Sequence, residues 1–270
     1  MYKLIALDID GTLLNSEKKI TNEVFNSIQE AKKLGTKVVL STGRSLHGAI
    51  PLLNELNLND YGDYVICFNG AIVQEVKSKK VLSNIEMSYD DFVLINNIAK
   101  ENNTNIHINT PTNLIVPTET PSKYTVHEAT LNNIDIVSMK EEDINDDITY
   151  CKIVIIDEPE KLEEVLKNIP NDLFEKYTIV RSAPFFLEFL NKNANKGAAL
   201  KSLCNAINIP VSKSIAVGDE ENDQHMIKIA GLGVAMGNAR DSIKDIAYYI
   251  TSDNNDNGVA KVIDKFILNR

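Results

Sequence analysis

The chain has 270 residues, 43% of them hydrophobic and 24% charged, with a formal net charge of −10. That balance belongs to a soluble protein with a real core, and the length suits two domains or one large one. The acidic excess runs against nucleic-acid binding, which needs a basic stripe to neutralise phosphates. No apolar stretch approaches the roughly 18–20 residues of a membrane helix, so no membrane partner is expected.

Residues 3–7 form a short apolar run that stops on Asp8-Ile9-Asp10-Gly11-Thr12. Asp8 and Asp10 break the run too early for a signal-peptide core. A helix follows, with Val24, Phe25, Ile28, Ala31 and Leu34 at helical spacing, Thr21 or Asn22 as N-cap and Gly35 as stop. A second run, 36–40, ends in Ser41-Thr42-Gly43-Arg44. The next helical stretch, 45–56, contains Pro51, which predicts a kink or a late start. A third run, 64–67, ends near Asn69-Gly70.

The middle of the chain reads differently. Helical patterns at 89–100 and 159–169 mix with short strands at 105–109, 113–116, 150–156, 177–181 and 185–190. Turns at 109–112 and 182–184 predict hairpins, and hence an antiparallel α+β domain. Beyond it, Leu200, Leu203, Cys204 and Ile207 mark a helix behind Lys196-Gly197. Runs at 214–217, 232–236 and 247–250 end on Gly218-Asp219, Gly237-Asn238 and Thr251-Ser252-Asp253.

The outer runs lack polar alternation, as strands covered on both faces of a parallel sheet do. Strand–helix alternation predicts an α/β fold with a doubly wound, mostly parallel sheet, whose ligands bind beyond the carboxyl ends of the strands. The polar endings all point into that crevice. The expected division is a core of 1–82 and 188–270 with an inserted domain of 83–187. Cys67, Cys151 and Cys204 form no CxxC pair, which leaves neither a zinc knuckle nor a disulfide framework and fits a cytoplasmic protein.

Asp8 and Asp10 stand two apart, so on extended backbone their carboxylates face one side. Asp219 brings another carboxylate to a strand end, with Asn222 and Asp223 just beyond. Hard oxygen ligands from separate strand ends suit Mg²⁺. The plain alternative, an acidic turn complementing a helix dipole, accounts for Glu220 and Glu221 but not for Asp219 at the strand end itself. Thr42 and Gly43, at a strand-to-helix turn, offer a hydroxyl and backbone N–H groups to an anion. Lys196 alone would read as a surface lysine; beside these motifs it reads as the cation that a phosphate needs.

Together these residues resemble the haloacid dehalogenase-like phosphatase superfamily, and within it the Cof-type branch with a large α/β cap, type IIB. Asp8-Ile9-Asp10-Gly11-Thr12, Thr42-Gly43-Arg44, Lys196-Gly197 and the acidic run 218–223 are similar to its four motifs, in order. The resemblance implies a Rossmann-like core with an inserted cap, and phosphate-ester hydrolysis. It implies Asp8 as nucleophile, Asp10 as acid and base, and Thr42, Gly43, Lys196 and Asn222 as phosphate contacts, with Thr12 and Asn222 orienting the set. It also implies Mg²⁺ held among Asp8, the Ile9 carbonyl, Asp10, Asp219 and Asp223.

Three rivals share parts of this pattern: a phosphomutase resembling the phosphomannomutases, a receiver domain phosphorylated on Asp, and a silent scaffold that binds phosphosugars. A receiver of about 120 residues leaves the inserted segment unexplained, and a scaffold does not need Asp10. The expected partner is a small phosphorylated metabolite, a sugar phosphate by preference, met by Asn105, His107, Asn109 and Asn113 of the inserted domain. The expected assembly is a monomer or weak homodimer.

Overall fold

A computed structural model describes residues 2–270. The first apolar run extends as β1 (Leu4–Leu7), buried at every position. Helix α1 (Asn22–Lys33) starts where the Thr21 side chain accepts the Val24 N–H, and buries Val24, Ile28 and Ala31 on one face. Such a cap is worth about 1 kcal/mol. Strand β2 (Lys37–Ser41) leads into α2 (Leu46–Glu55), capped by Ser45. Pro51 lies inside α2 and does not delay its start, because Ser45 nucleates the first turn by accepting the Gly48 N–H. Strand β3 (Tyr64–Cys67) is followed by β4 (Ile72–Glu75) and β5 (Val81–Asn84), antiparallel strands that the apolar runs do not announce.

The second unit, Ile85–Ala194, holds α3 (Tyr89–Glu101), β6 (Asn105–Asn109), β7 (Asn113–Val116), α4 (Lys123–Asn132), β8 (Asp135–Ser138) and β9 (Lys152–Ile156). It continues through α5 (Pro159–Asn168), α6 (Asn171–Lys176), β10 (Tyr177–Ala183) and β11 (Phe186–Asn191). Its sheet runs β10-β11-β9-β6-β7-β8. Both expected hairpins form, β6 with β7 and β10 with β11. The pair β7–β8 is parallel, against the antiparallel expectation, because α4 carries the chain back between them. The segment also ends later than 187: β11 pairs with β9 and β10, so the unit extends to Ala194.

Alternation along β6 sorts this unit's faces. Ile106 and Ile108 join Phe92, Ile95, Leu162 and Val165 in a buried cluster with α3 and α5. His107 and Asn109, on the other face, are buried against α4: Asn109 donates to Glu128 at 2.9 Å, and His107 Nε2 lies 3.0 Å from the second Glu128 oxygen. Lys152 completes the network, 2.6 Å from Glu188 and 3.3 Å from Glu128. The expectation that His107 and Asn109 present themselves to a substrate is therefore corrected. An unpaired buried carboxylate is costly, and both side chains are committed to Glu128. Asn113 is likewise bonded to Thr110.

The chain then returns to the first unit through α7 (Lys196–Ala206), β12 (Ser214–Gly218), α8 (Gln224–Ile229), β13 (Leu232–Ala235), α9 (Asp241–Lys244), β14 (Tyr249–Ile250) and α10 (Gly258–Ile263). The sheet order is β14-β13-β12-β1-β2-β3-β4-β5, parallel from β14 through β3. One face packs Leu4, Ala6, Val39 and Ala216 against Leu200, Leu203 and Met226 of α7 and α8. Strand order reverses between β1 and β12, and that switch point is where a doubly wound sheet opens its crevice. Among the described residues no helix is long and apolar enough to cross a membrane.

Candidate active site

Beyond β1, β2 and β12 the chain leaves the sheet with polar side chains, and three separate carboxylates meet. Asp8, Asp219 and Asp223 are buried, and each offers an oxygen within 4.8 Å of the others. Lys196, at the first turn of α7 and 0% exposed, places Nζ 2.6 Å from Asp8 Oδ1 and 2.7 Å from Asp223 Oδ1. Asp223 also braces its own loop, since Oδ2 accepts the backbone N–H groups of Asp219 and Glu220 at 2.9 and 3.1 Å. Thr12 Oγ donates to Asp219 Oδ1 at 2.8 Å. The loops come this close because Gly11, at φ +89°, has no Cβ; one would stand 2.2 Å from Asp219 Oδ2.

Three carboxylates against one lysine leave a surplus of negative charge in a buried place. Burial pushes the Asp8 carboxyl up to about 7, with Lys196 pulling it down and Asp223 and Asp219 adding to the rise. Burial likewise raises Asp219 to about 6, Thr12 opposing and Asp223 and Glu220 contributing. Burial works against the charge on Lys196, yet Asp8 and Asp223 carry its pKa above the usual lysine range. Clustered hard oxygens with unbalanced charge fit a divalent cation of the Mg²⁺ type, so Asp8, Asp219 and Asp223 could hold one.

Asp10 is not part of this cluster. The chain turns after Leu7, so the face-sharing expected of extended backbone fails. Asp10 is instead bound by Arg44, with Nη2 2.7 Å from Oδ2, and by Lys18 at 3.0 Å. Partial burial favours the neutral acid, but Lys18 and Arg44 hold the carboxyl below the ordinary carboxylate range. The Ile9 carbonyl, expected as a metal ligand, accepts the Leu14 N–H at 2.9 Å, a bond that closes the turn. The Asp10 carboxylate thus stands outside the set of carboxylates that meet.

Thr42 is buried at the end of β2 and accepts the Arg44 N–H through Oγ at 3.1 Å. Its own N–H goes to the Ile66 carbonyl, whereas that of Gly43 donates to none of the described residues. Asn222 is exposed and donates to Asn69 Oδ1 at 3.0 Å. Asn69, Lys18 and the Asp10-binding role of Arg44 were not read from the sequence. Only Asn69 left a signal, as the polar ending of β3. His225 is exposed on α8, and its backbone crowds Gly197, where a Cβ would meet it at 2.6 Å.

A family model for haloacid dehalogenase-like hydrolases matches residues 5–263. M6_Spy0533 of Streptococcus pyogenes is 42% identical over 267 residues, covering 99% of each chain. The Bacillus subtilis 5-amino-6-(5-phospho-D-ribitylamino)uracil phosphatase YcsE is 35% identical over 272 residues, covering 98% of this chain and 96% of its own. A haloacid dehalogenase-like hydrolase from Bacteroides thetaiotaomicron superposes with a TM-score of 0.84 at 32% identity, covering 98% of this chain and 99% of that one.

Proposed function

The chain belongs to the haloacid dehalogenase-like hydrolases and is a phosphatase; from that premise we propose that it hydrolyses small phosphate monoesters with Mg²⁺, through an aspartyl phosphate on Asp8. The observation that carries this reading is the meeting of Asp8, Asp219, Asp223 and Lys196 at the switch point of the sheet.

A bound Mg²⁺, held by Asp8, Asp219 and Asp223, would supply charge neutralisation for the transferring phosphoryl group. The residues do the rest. Asp8 attacks phosphorus with a carboxylate oxygen; the bond to the ester oxygen breaks, and one hard displacement becomes two easier ones. Lys196 draws the Asp8 carboxyl toward its ionised form against the effect of burial, and with Thr42 and the Gly43 N–H it meets charge on the phosphoryl oxygens. Asp10 delivers a proton to the departing oxygen and recovers one from the water that attacks the acyl phosphate. To carry that proton it must leave Arg44 and Lys18, and a phosphate dianion is the natural competitor for both cations.

The net charge of −10 supports a small metabolite over nucleic acid as partner. A relative whose name specifies a phosphorylated ribityl group supports monoesters of sugar-like alcohols as the class. The test is phosphate release from a panel of sugar, sugar-alcohol and aryl phosphates. Turnover is expected with Mg²⁺ and not with EDTA. Equal turnover in both, or transfer to a second sugar without phosphate release, contradicts the reading.

A further inference from the structure

Behind β3 the backbone enters the left-handed region for three residues running: Phe68 at φ +50°, Asn69 at φ +54° and Gly70 at φ +102°. Only the glycine does so freely. For other residues the conformation costs roughly 1–2 kcal/mol each, and it persists where surrounding structure enforces it.

What enforces it is the site. The Phe68 N–H donates to the Arg44 carbonyl at 3.0 Å and the Asn69 N–H to the Thr42 carbonyl at 2.9 Å, so the turn clips the 42–44 loop at both ends. The Asn69 carboxamide accepts from Asn222 Nδ2 at 3.0 Å and lies 3.2 Å from where a Gly43 Cβ would stand. Gly70 passes so close to Asn195, the cap of the Lys196 helix, that a Cβ would meet its carbonyl at 2.3 Å. One strained turn therefore touches the Thr42 loop, the Asn222 loop and the start of α7.

We propose that Asn69 is a positioning residue for phosphoryl transfer: its backbone N–H holds the 42–44 loop and its carboxamide holds Asn222 of the 219–223 loop, so one residue ties the two. This rests on the reading of Asp8 and its neighbours as the reacting centre. The backbone alone does not call for asparagine, because glycine adopts this conformation at no steric cost. What asparagine adds is the carboxamide. Its Oδ1 fixes the Asn222 side chain, while its Nδ2 donates to none of the described residues and lies beside Gly43, whose N–H would meet a phosphate oxygen. Misplacing such a set by about 1 Å can cost 10²-fold in rate without unfolding anything.

The experiment uses Asn69→Gly, which keeps the turn and deletes only the carboxamide. The expected result is a kcat about 10- to 100-fold lower, KM little changed, and a melting temperature equal to or above that of the wild type. Asn222→Ala and the double variant complete a cycle. If the two amides act as one unit, the double variant is no slower than the slower single variant. An Asn69→Gly enzyme with wild-type kcat, a loss confined to KM, or fully additive effects overturns the proposal. Asp8→Asn runs beside them: if it stays active, the reading of the centre has failed, and if it alone is dead, only the role of Asn69 has.

Discussion

Arg44 grips Asp10 through both carboxylate oxygens, one guanidinium nitrogen standing 2.9 Å from Oδ1 and 2.7 Å from Oδ2. A carboxylate so held is ionised and cannot donate a proton. Under the proposed mechanism, its use as an acid depends on the phosphate drawing Arg44 away, which would couple protonation to substrate arrival. Asp10→Asn is therefore expected to slow alkyl phosphates by about 10²–10⁴-fold. Aryl phosphates, whose leaving oxygen needs little protonation, should lose far less. Rate constants for the two substrate classes check this, and equal losses would remove Asp10 as the acid.

Lys196 is the electrostatic keystone of the cluster. Its ammonium is fully buried between Asp8 and Asp223. Lys196→Met leaves those carboxylates without a cation, a kind of loss that costs about 3–5 kcal/mol. Urea unfolding in EDTA should show a midpoint lowered accordingly, with Mg²⁺ recovering part of it. An unchanged midpoint would mean that the pair contributes no net stability.

The raised carboxyl of Asp8 sets a pH dependence with a definite sign. The unfolded chain ionises this group near its ordinary value of 3.8, whereas the fold holds the proton to about 7, burial being the chief cause. Between those values the folded state binds more protons, so rising pH favours unfolding. Asp219, raised to about 6, acts in the same direction over a narrower window. In EDTA, the stability of Asp8→Asn relative to wild type should climb from pH 4 to pH 7 and level off above, the window bounded by that 3.8 and about 7. On the proposed reading Mg²⁺ binds the ionised cluster and should flatten the climb. Parallel melting-temperature profiles for the two proteins across that range would contradict the account.

The parts legible in the sequence share one property: both faces of the element are covered, so the signal is local. β1, β2 and β12 are buried at nearly every position around an apolar run, and their polar endings stand out against that background. Helix α4 gives no such signal, because its buried positions include Thr125 and Glu128, which face the polar side of the second sheet. The end of the inserted segment was misplaced because β11 is defined by its partners β9 and β10, not by its composition. Asp10 shows the limit for the site. Its residue type is plain, but its partners Arg44 and Lys18 depend on how the loop turns after β1. Asn69 was visible as punctuation; the left-handed backbone that gives it a place was not.

Covalent capture tests the central claim, that Asp8 takes the phosphoryl group. Enzyme quenched in acid during turnover of a labelled phosphate ester should carry the label as an acyl phosphate, and borohydride reduction should then convert the residue at position 8 to homoserine, located by tandem mass spectrometry. Asp8→Asn should carry none. Label on any other residue, or steady turnover with no acyl phosphate formed, would contradict the account.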